Sequence, residues 1–195
     1  MTELEKLVLM LYEMGAVKFG RFQLTPSKIS PINIDLRLLI SHPSALKTTA
    51  VAFSRILQTL EFDLLGAIPY SGLPIGTAIA LEMNRPLIFP RKEGRSSPTS
   101  RHVEGIWQVG QKVVVIDDTI TTGESALGGV AMLKAAGLQV KDIVALLDRE
   151  QGADDNVEGS GYTLHSVLRL DDLLITLENH GRIDGKTRRE VLALA

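Results

Sequence analysis

The spacing of apolar residues changes repeatedly along the chain, and each change predicts an element. Thr2-x-x-Glu5 reads as a capping box, with Leu4, Leu7, Val8, Leu11 and Met14 following at helical spacing. Gly15 and Gly20 loosen the chain before short alternating strands at residues 21–24 and 32–40. Residues 44–62 form an amphipathic helix with Leu46, Ala50, Phe53, Ile56, Leu57 and Leu60 on its buried side. A buried strand at 64–69, a helix at 72–83 and a strand at 86–90 come next. Residues 91–104 have no periodicity and are rich in Ser, Pro, Gly and Arg, as expected of a long mobile loop. Beyond it lie a strand at 113–116, a helix at 126–136, strands at 141–148 and 163–169, and polar-capped helices at 171–180 and 185–194.

Strands alternating with helices, each strand a nearly unbroken apolar run, predict an α/β fold: a parallel sheet with helices on both faces. In such sheets ligands bind beyond the carboxyl ends of the strands, so the loops there are the ones to search. No repeat or domain boundary interrupts residues 1–195, which suits a single domain with about the first 40 residues as an appended lid. Composition adds exclusions. A formal net charge of −2 gives no basic field for nucleic acid or a membrane surface. With no cysteine there is no disulfide, thiol nucleophile or Cys-ligated metal. Glu3, Glu5 and Lys6 are out of place in a signal peptide, and no apolar run nears the ~20 residues that span a bilayer; a cytoplasmic protein is expected.

One stretch carries most of the chemistry. In KVVVIDDTITTGES, residues 112–125, four apolar residues lead into Asp117 and Asp118, then Thr119, Thr121, Thr122, Gly123, Glu124 and Ser125 before a helical pattern. A strand turning through a Thr/Gly loop into a helix gathers backbone N–H groups around one point, a nest that holds phosphate. The hydroxyls add donors, and the two acids can grip ribose hydroxyls or a hydrated Mg²⁺. The competing reading is an ordinary strand–loop–helix joint with an N-capping Thr.

Three further loops follow predicted strands. In IPYSGLPIGT, residues 68–77, the amides near Tyr70, Ser71 and Gly72 could face a second anion, or the segment is a plain turn. Arg91, Lys92, Arg95 and Arg101 crowd the next loop with His102 beside them. Such a cationic loop can close over a polyanion and meet charge on a leaving group, or simply be solvated. In LDREQG, residues 147–152, Arg149 could take a substrate carboxylate in a bidentate fork, or pair at the surface with Asp148 or Glu150.

Taken together, these residues resemble the type I phosphoribosyltransferases and, within them, the orotate phosphoribosyltransferases, including the phosphoribosyltransferase half of UMP synthases. The similarity is collinear over nearly the whole chain. It runs through KFGRFQLTPSKISPINIDLR at 18–37, IPYSGLPIGTAIAL at 68–81, PRKE at 90–93, VEG at 103–105, the acidic signature, LLDREQG and GYTLHSVLRLDDLL. The resemblance implies a mostly parallel five-stranded sheet flanked by helices, with a small N-terminal hood near which the C-terminal segment packs. It implies transfer of the phosphoribosyl group of phosphoribosyl pyrophosphate (PRPP) to orotate, giving orotidine 5′-monophosphate and pyrophosphate with Mg²⁺ in pyrimidine (UMP) biosynthesis. Asp117 and Asp118 would hold the ribose hydroxyls and offset charge on the ring, with Mg²⁺ held through PRPP and water rather than directly. Thr119 and the run Thr121 to Ser125 would cradle the 5′-phosphate. Tyr70, Ser71 and Gly72 would contact pyrophosphate, and Arg91, Lys92 and Arg95 would neutralise it. Orotate would meet Thr25, the backbone of Ile32 and Asn33, Thr121 and Arg149. A homodimer with shared active sites is expected.

The sequence departs from the family in two places. Where the family's mobile loop reads R-K-x-x-K-D, then His or Tyr, then Gly, this chain has Arg91-Lys92-Glu93-Gly94-Arg95-Ser96-Ser97-Pro98. Arg95 thus replaces the catalytic Lys, keeping charge but not a compact ammonium, which bears on rate rather than fold. In the hood, Thr25 replaces a Lys. Two other functions stay open: a phosphoribosyltransferase for a different base, and a non-catalytic regulator that keeps the PRPP pocket as a sensor.

Overall fold

The structure, a computed structural model, describes residues 1–25, 28–91 and 102–193, apart from the side chains of residues 24, 25 and 28. Helix α1 (Glu3–Glu13) opens the chain, and the predicted capping box forms in full: Thr2 Oγ1 accepts from Glu5 N–H while the Glu5 carboxylate accepts from Thr2 N–H. Strands β1 (Val17–Thr25) and β2 (Lys28–Ile34) make an antiparallel ribbon separate from the main sheet. The alternation in 32–40 predicts one strand, but the strand ends at Ile34. Asp35 then accepts from Arg37 N–H and starts a 3₁₀ turn over Leu36–Ser41, which buries Leu36 and Leu39.

Helix α2 (Pro43–Leu57) leads to β3 (Leu64–Ala67), α3 (Gly72–Met83) and β4 (Leu87–Pro90). A two-residue strand, β5 (Val103–Glu104), is followed by β6 (Lys112–Ile120), α4 (Glu124–Ala135) and β7 (Gln139–Asp148). The chain continues with α5 (Ala153–Gly159), β8 (Thr163–Arg169), α6 (Leu170–Asn179) and α7 (Gly185–Leu192). The main sheet has the order β5-β4-β3-β6-β7-β8. The five expected strands all pair in parallel, and β5 joins β4 antiparallel as a sixth. Two residues are too few to show a period, so β5 has no sequence signal.

Side chains alternate along β6 and divide the core between the two faces of the sheet. Val114 and Ile116 pack with α1, α2, α3 and α6 through Leu7, Leu11, Phe53, Ile75 and Leu173. Val113 and Val115 pack with α4 and α5 through Val130, Leu133 and Val157. Both faces are covered, which is why the parallel strands are apolar on both sides. Among the described residues no helix is long and apolar enough to cross a membrane.

Candidate functional site

The register of the sheet brings three loops to one place. Because Ala67 pairs with Ile116, the end of β3 lies beside the start of the acidic pair, and Ile68 N–H donates to Ile116 O at 2.9 Å. Because Ile120 pairs with Asp148, the end of β7 lies beside Thr121, and Arg149 N–H donates to Ile120 O at 3.0 Å. The acids themselves stand within β6, which runs on to Ile120 rather than stopping at residue 116. Beyond Ile116 the strand pairs with β7 alone, through Asp117 with Ala145, Thr119 with Leu147 and Ile120 with Asp148, so the acids stand where β3 has already ended.

Asp117 is buried, only 5% exposed, and its Oδ1 accepts from Asp118 N–H at 2.9 Å. Asp118 is half-buried beside it, within electrostatic reach of Arg37, whose guanidinium pairs with Asp35 through Nε at 2.7 Å. Arg37 therefore brings the end of the hood to the acidic pair, a proximity that no local pattern signals. Thr121 follows, then Thr122 and Gly123, which adopts φ +84° and enters α4 without a capping side chain. The first turn of α4 thus presents its amide end to the loop, as an anion-binding nest requires. Helix α5 supports this loop from outside: Asn156 Nδ2 donates to Thr122 O at 2.9 Å. Val157 Cγ2 packs where a side chain at Gly123 would stand, 3.0 Å from an ideal Cβ. Residues 153–159 carry no pattern long enough to predict an element. The only signal there is the four-residue spacing of Ala153 and Val157 between glycines.

In the β3–α3 loop one of the three expected donors is already used. Gly72 N–H donates to Ile68 O at 3.1 Å, so that amide is engaged within the turn. What the position requires is room: a Cβ at Gly72 would lie 3.0 Å from Ile116 O and 3.6 Å from Asp117 Cα. Gly72 lets the loop approach the acids, and a side chain there would press on the backbone of Ile116. Ser71 is half-buried next to it, Tyr70 projects into solvent, and the Pro69–Tyr70 peptide is cis.

The cationic loop is placed only at its ends. Arg91 N–H bonds to His102 O, and the Arg91 guanidinium pairs with Glu104 of β5 at 3.0 Å. A clamp on Arg91 by a side chain thirteen residues away is invisible to local pattern. Lys92 and Arg95, with Ser96 to Pro98, lie outside the described residues, as does the Thr25 side chain.

In the hood, Ile32 is buried, and Ser30 Oγ both donates to its carbonyl at 2.7 Å and accepts from its N–H at 3.3 Å. Its backbone is thus already engaged, contrary to the expectation that it faces a pyrimidine. Asn33 pairs with Lys18 across the ribbon.

At the end of β7, Arg149 is half-buried, and neither Asp148 nor Glu150 pairs with it. Asp148, 1% exposed, accepts from Glu150 N–H at 2.8 Å, and burial pushes its carboxyl above the usual carboxylate range. Glu150 turns away to Arg169 at 3.0 Å. Arg149 Nε is the one buried side-chain nitrogen or oxygen without a hydrogen-bond partner among the described residues, and burial lowers the guanidinium's pKa. Among the described residues Arg149 thus forms no ion pair with Asp148 or Glu150, contrary to the surface-pair reading, and its Nε is left without an acceptor. Among the described residues, no group of three or more His, Cys, Asp or Glu side chains is gathered that could hold a metal directly.

Comparison with known proteins agrees with this arrangement. Residues 37–160 match the phosphoribosyl transferase domain. A bifunctional enzyme PyrF/PyrE from Nostoc is 40% identical over 93% of this chain but only 38% of its own length. The orotate phosphoribosyltransferase of Pyrococcus furiosus is 35% identical over 87% of this chain and 94% of its own. The solved UMP synthase of Leishmania donovani superposes with a TM-score of 0.88 at 36% identity, covering 97% of this chain and 41% of that one. The chain thus spans about two-fifths of such bifunctional relatives and nearly all of the Pyrococcus enzyme.

Proposed function

The chain belongs to the orotate phosphoribosyltransferase family, and on that premise we propose that it joins orotate to the ribose of PRPP, releasing pyrophosphate. The observation that carries the choice of base is Arg149, half-buried with its Nε unpartnered and its backbone bonded to Ile120 O just before Thr121. A carboxylate-bearing base would supply the charge and the acceptors this group lacks. A purine would leave it desolvated and unmet.

In this reading orotate N1, having given up its proton, bonds to ribose C1′ as the bond from C1′ to the pyrophosphate oxygen breaks. Positive charge builds on the ring in between. Asp117, buried and fixed by its bond to Asp118 N–H, holds a ribose hydroxyl and offsets that charge. Asp118 takes the neighbouring hydroxyl. The loop Thr121–Ser125 and the first turn of α4 hold the 5′-phosphate, with Thr119 and Thr121 lining its approach. Ser71 and Tyr70 lie on the pyrophosphate side. Arg91 would exchange Glu104 for pyrophosphate, joined by Lys92 and Arg95. Asn33 and Thr25 belong to the hood's contact with orotate, alongside Arg149. Two adjacent carboxylates, one buried and one half-exposed, suit a hydrated Mg²⁺ carried by PRPP, with Asp117 and Asp118 touching its water. Such an ion would supply positive charge against the pyrophosphate oxygens. A cytoplasmic homodimer with shared sites, acting in UMP biosynthesis, completes the proposal.

The test is direct. Purified protein with PRPP, Mg²⁺ and orotate should yield equal amounts of orotidine 5′-monophosphate and pyrophosphate. Turnover of a purine instead would move the chain to another base. PRPP binding with no turnover of any base would make it a sensor.

A further inference from the structure

The turn after β7 contains a group that the reaction itself does not use. Glu150 adopts φ +57°, a left-handed conformation uncommon for a residue with a side chain. Two interactions hold it there. On one side its N–H donates to the buried Asp148 carboxylate at 2.8 Å. On the other its own carboxylate reaches across to the start of α6, accepting from Asp171 N–H at 2.9 Å and from Arg169 Nε at 3.0 Å. The residue preceding α6, Arg169, makes no side-chain capping bond, so Glu150 supplies the cap, accepting from Asp171 N–H twenty-one residues further along the chain. Arg169 is steadied in turn by Asp154 at 3.5 Å in α5. The carboxylate thus ties the turn to β8, α5 and α6 at once.

Arg149 lies between the two acids and pairs with neither. Its backbone is fixed to Ile120 O, and its guanidinium is half-buried with Nε unpartnered. With no hydrogen bond at Nε to fix it, the side chain takes its direction from its packing and from the backbone it leaves. We propose that Glu150 is a positioning residue for orotate: by tying the left-handed turn to the head of α6, it aims the Arg149 guanidinium at the site. The inference rests on the reading of Arg149 as the carboxylate-binding group.

Steady-state kinetics of Glu150→Ala, Glu150→Gln and Arg149→Ala, with the double variant Glu150→Ala/Arg149→Ala, test it. Glu150→Ala should raise the KM for orotate about tenfold, the scale of one lost hydrogen bond between charged groups, with the KM for PRPP within about twofold. Glu150→Gln keeps an acceptor for Asp171 N–H and should recover most of the loss. In the Arg149→Ala background, Glu150→Ala should add almost nothing, because its effect passes through the missing guanidinium. A parallel rise in both KM values, or a full Glu150→Ala effect in that background, would overturn the proposal. A readout independent of turnover is the ¹⁵Nε–¹H resonance of Arg149, identified by its loss in Arg149→Lys. It should be single and sharp in the wild type and shifted or broadened in Glu150→Ala. If the wild type uses no orotate, the reaction proposed above fails while the resonance still tests the turn, and an unchanged resonance in Glu150→Ala overturns the turn alone.

Discussion

Between β6 and α4 the chain turns by means its own residues supply, with Gly123 at φ +84° and a helix start whose open amide end stands against the loop. Between β7 and α5 the turn also ends on a left-handed glycine, Gly152 at φ +91°, but before it Glu150 is held from elsewhere in the chain, by Arg169 and Asp171. The two turns lie side by side through the pairing of Ile120 with Asp148. A phosphate is held by backbone amides, which any short motif of the right shape can present. A carboxylate on a flat base has to be met by a guanidinium in one orientation, which takes a scaffold. On the proposed reading, recognition of the sugar phosphate would be written locally, and recognition of the base would depend on distant parts of the chain.

Replacing both acids next to the first turn should have the largest effect. Asp117→Asn with Asp118→Asn should lower kcat/KM at least about a thousandfold, because two groups facing the charged ring are lost together. PRPP binding by calorimetry should weaken sharply. Thermal melting should not fall, since asparagine at 117 still offers an oxygen to residue 118 N–H and the change removes two like charges held close together. Unchanged PRPP affinity would show that the acids do not serve the sugar, and the first turn would lose its assigned role.

At the second turn, Arg149→Ala should raise the KM for orotate by the equivalent of about 2–4 kcal/mol and leave that for PRPP nearly unchanged. The fold should be as stable as before or more so, because burial opposes the charge of this guanidinium and alanine relieves it. Equal shifts in both KM values would erase the division of labour between the turns.

The same contrast explains what the sequence made legible. Helix α3, the parallel strands and the acidic loop follow from period and turn chemistry that fall within one short window. The pairing of Arg91 with Glu104, the engagement of Ile32 by Ser30 in the ribbon and the approach of Arg37 to Asp118 arise only once the fold is closed. Arg149 was recognisable as a candidate, but its choice between ion pair and ligand turned on where Glu150 points. That direction is set by Asp171, in another element. The helix α5 was missed because seven residues carry two apolar positions, too few to separate from a loop.

The smallest effect should come from Asn156→Ala, which probes whether the first turn is as self-sufficient as its local chemistry suggests. Asn156 is exposed, and its single bond to Thr122 O contributes about 0.5–1 kcal/mol at most in that setting. Gly123 stays packed on Val157 in the variant, so the backbone path into α4 should persist. The KM for PRPP should therefore rise no more than about fivefold, the equivalent of about 1 kcal/mol, with kcat and the KM for orotate unchanged. A tenfold rise would show that α5 holds the phosphate loop in shape, making the first turn dependent on distant partners like the second. No rise at all, measured alongside the large response expected at Arg149, would set the two turns furthest apart. The loop's own residues would then suffice to shape the phosphate site.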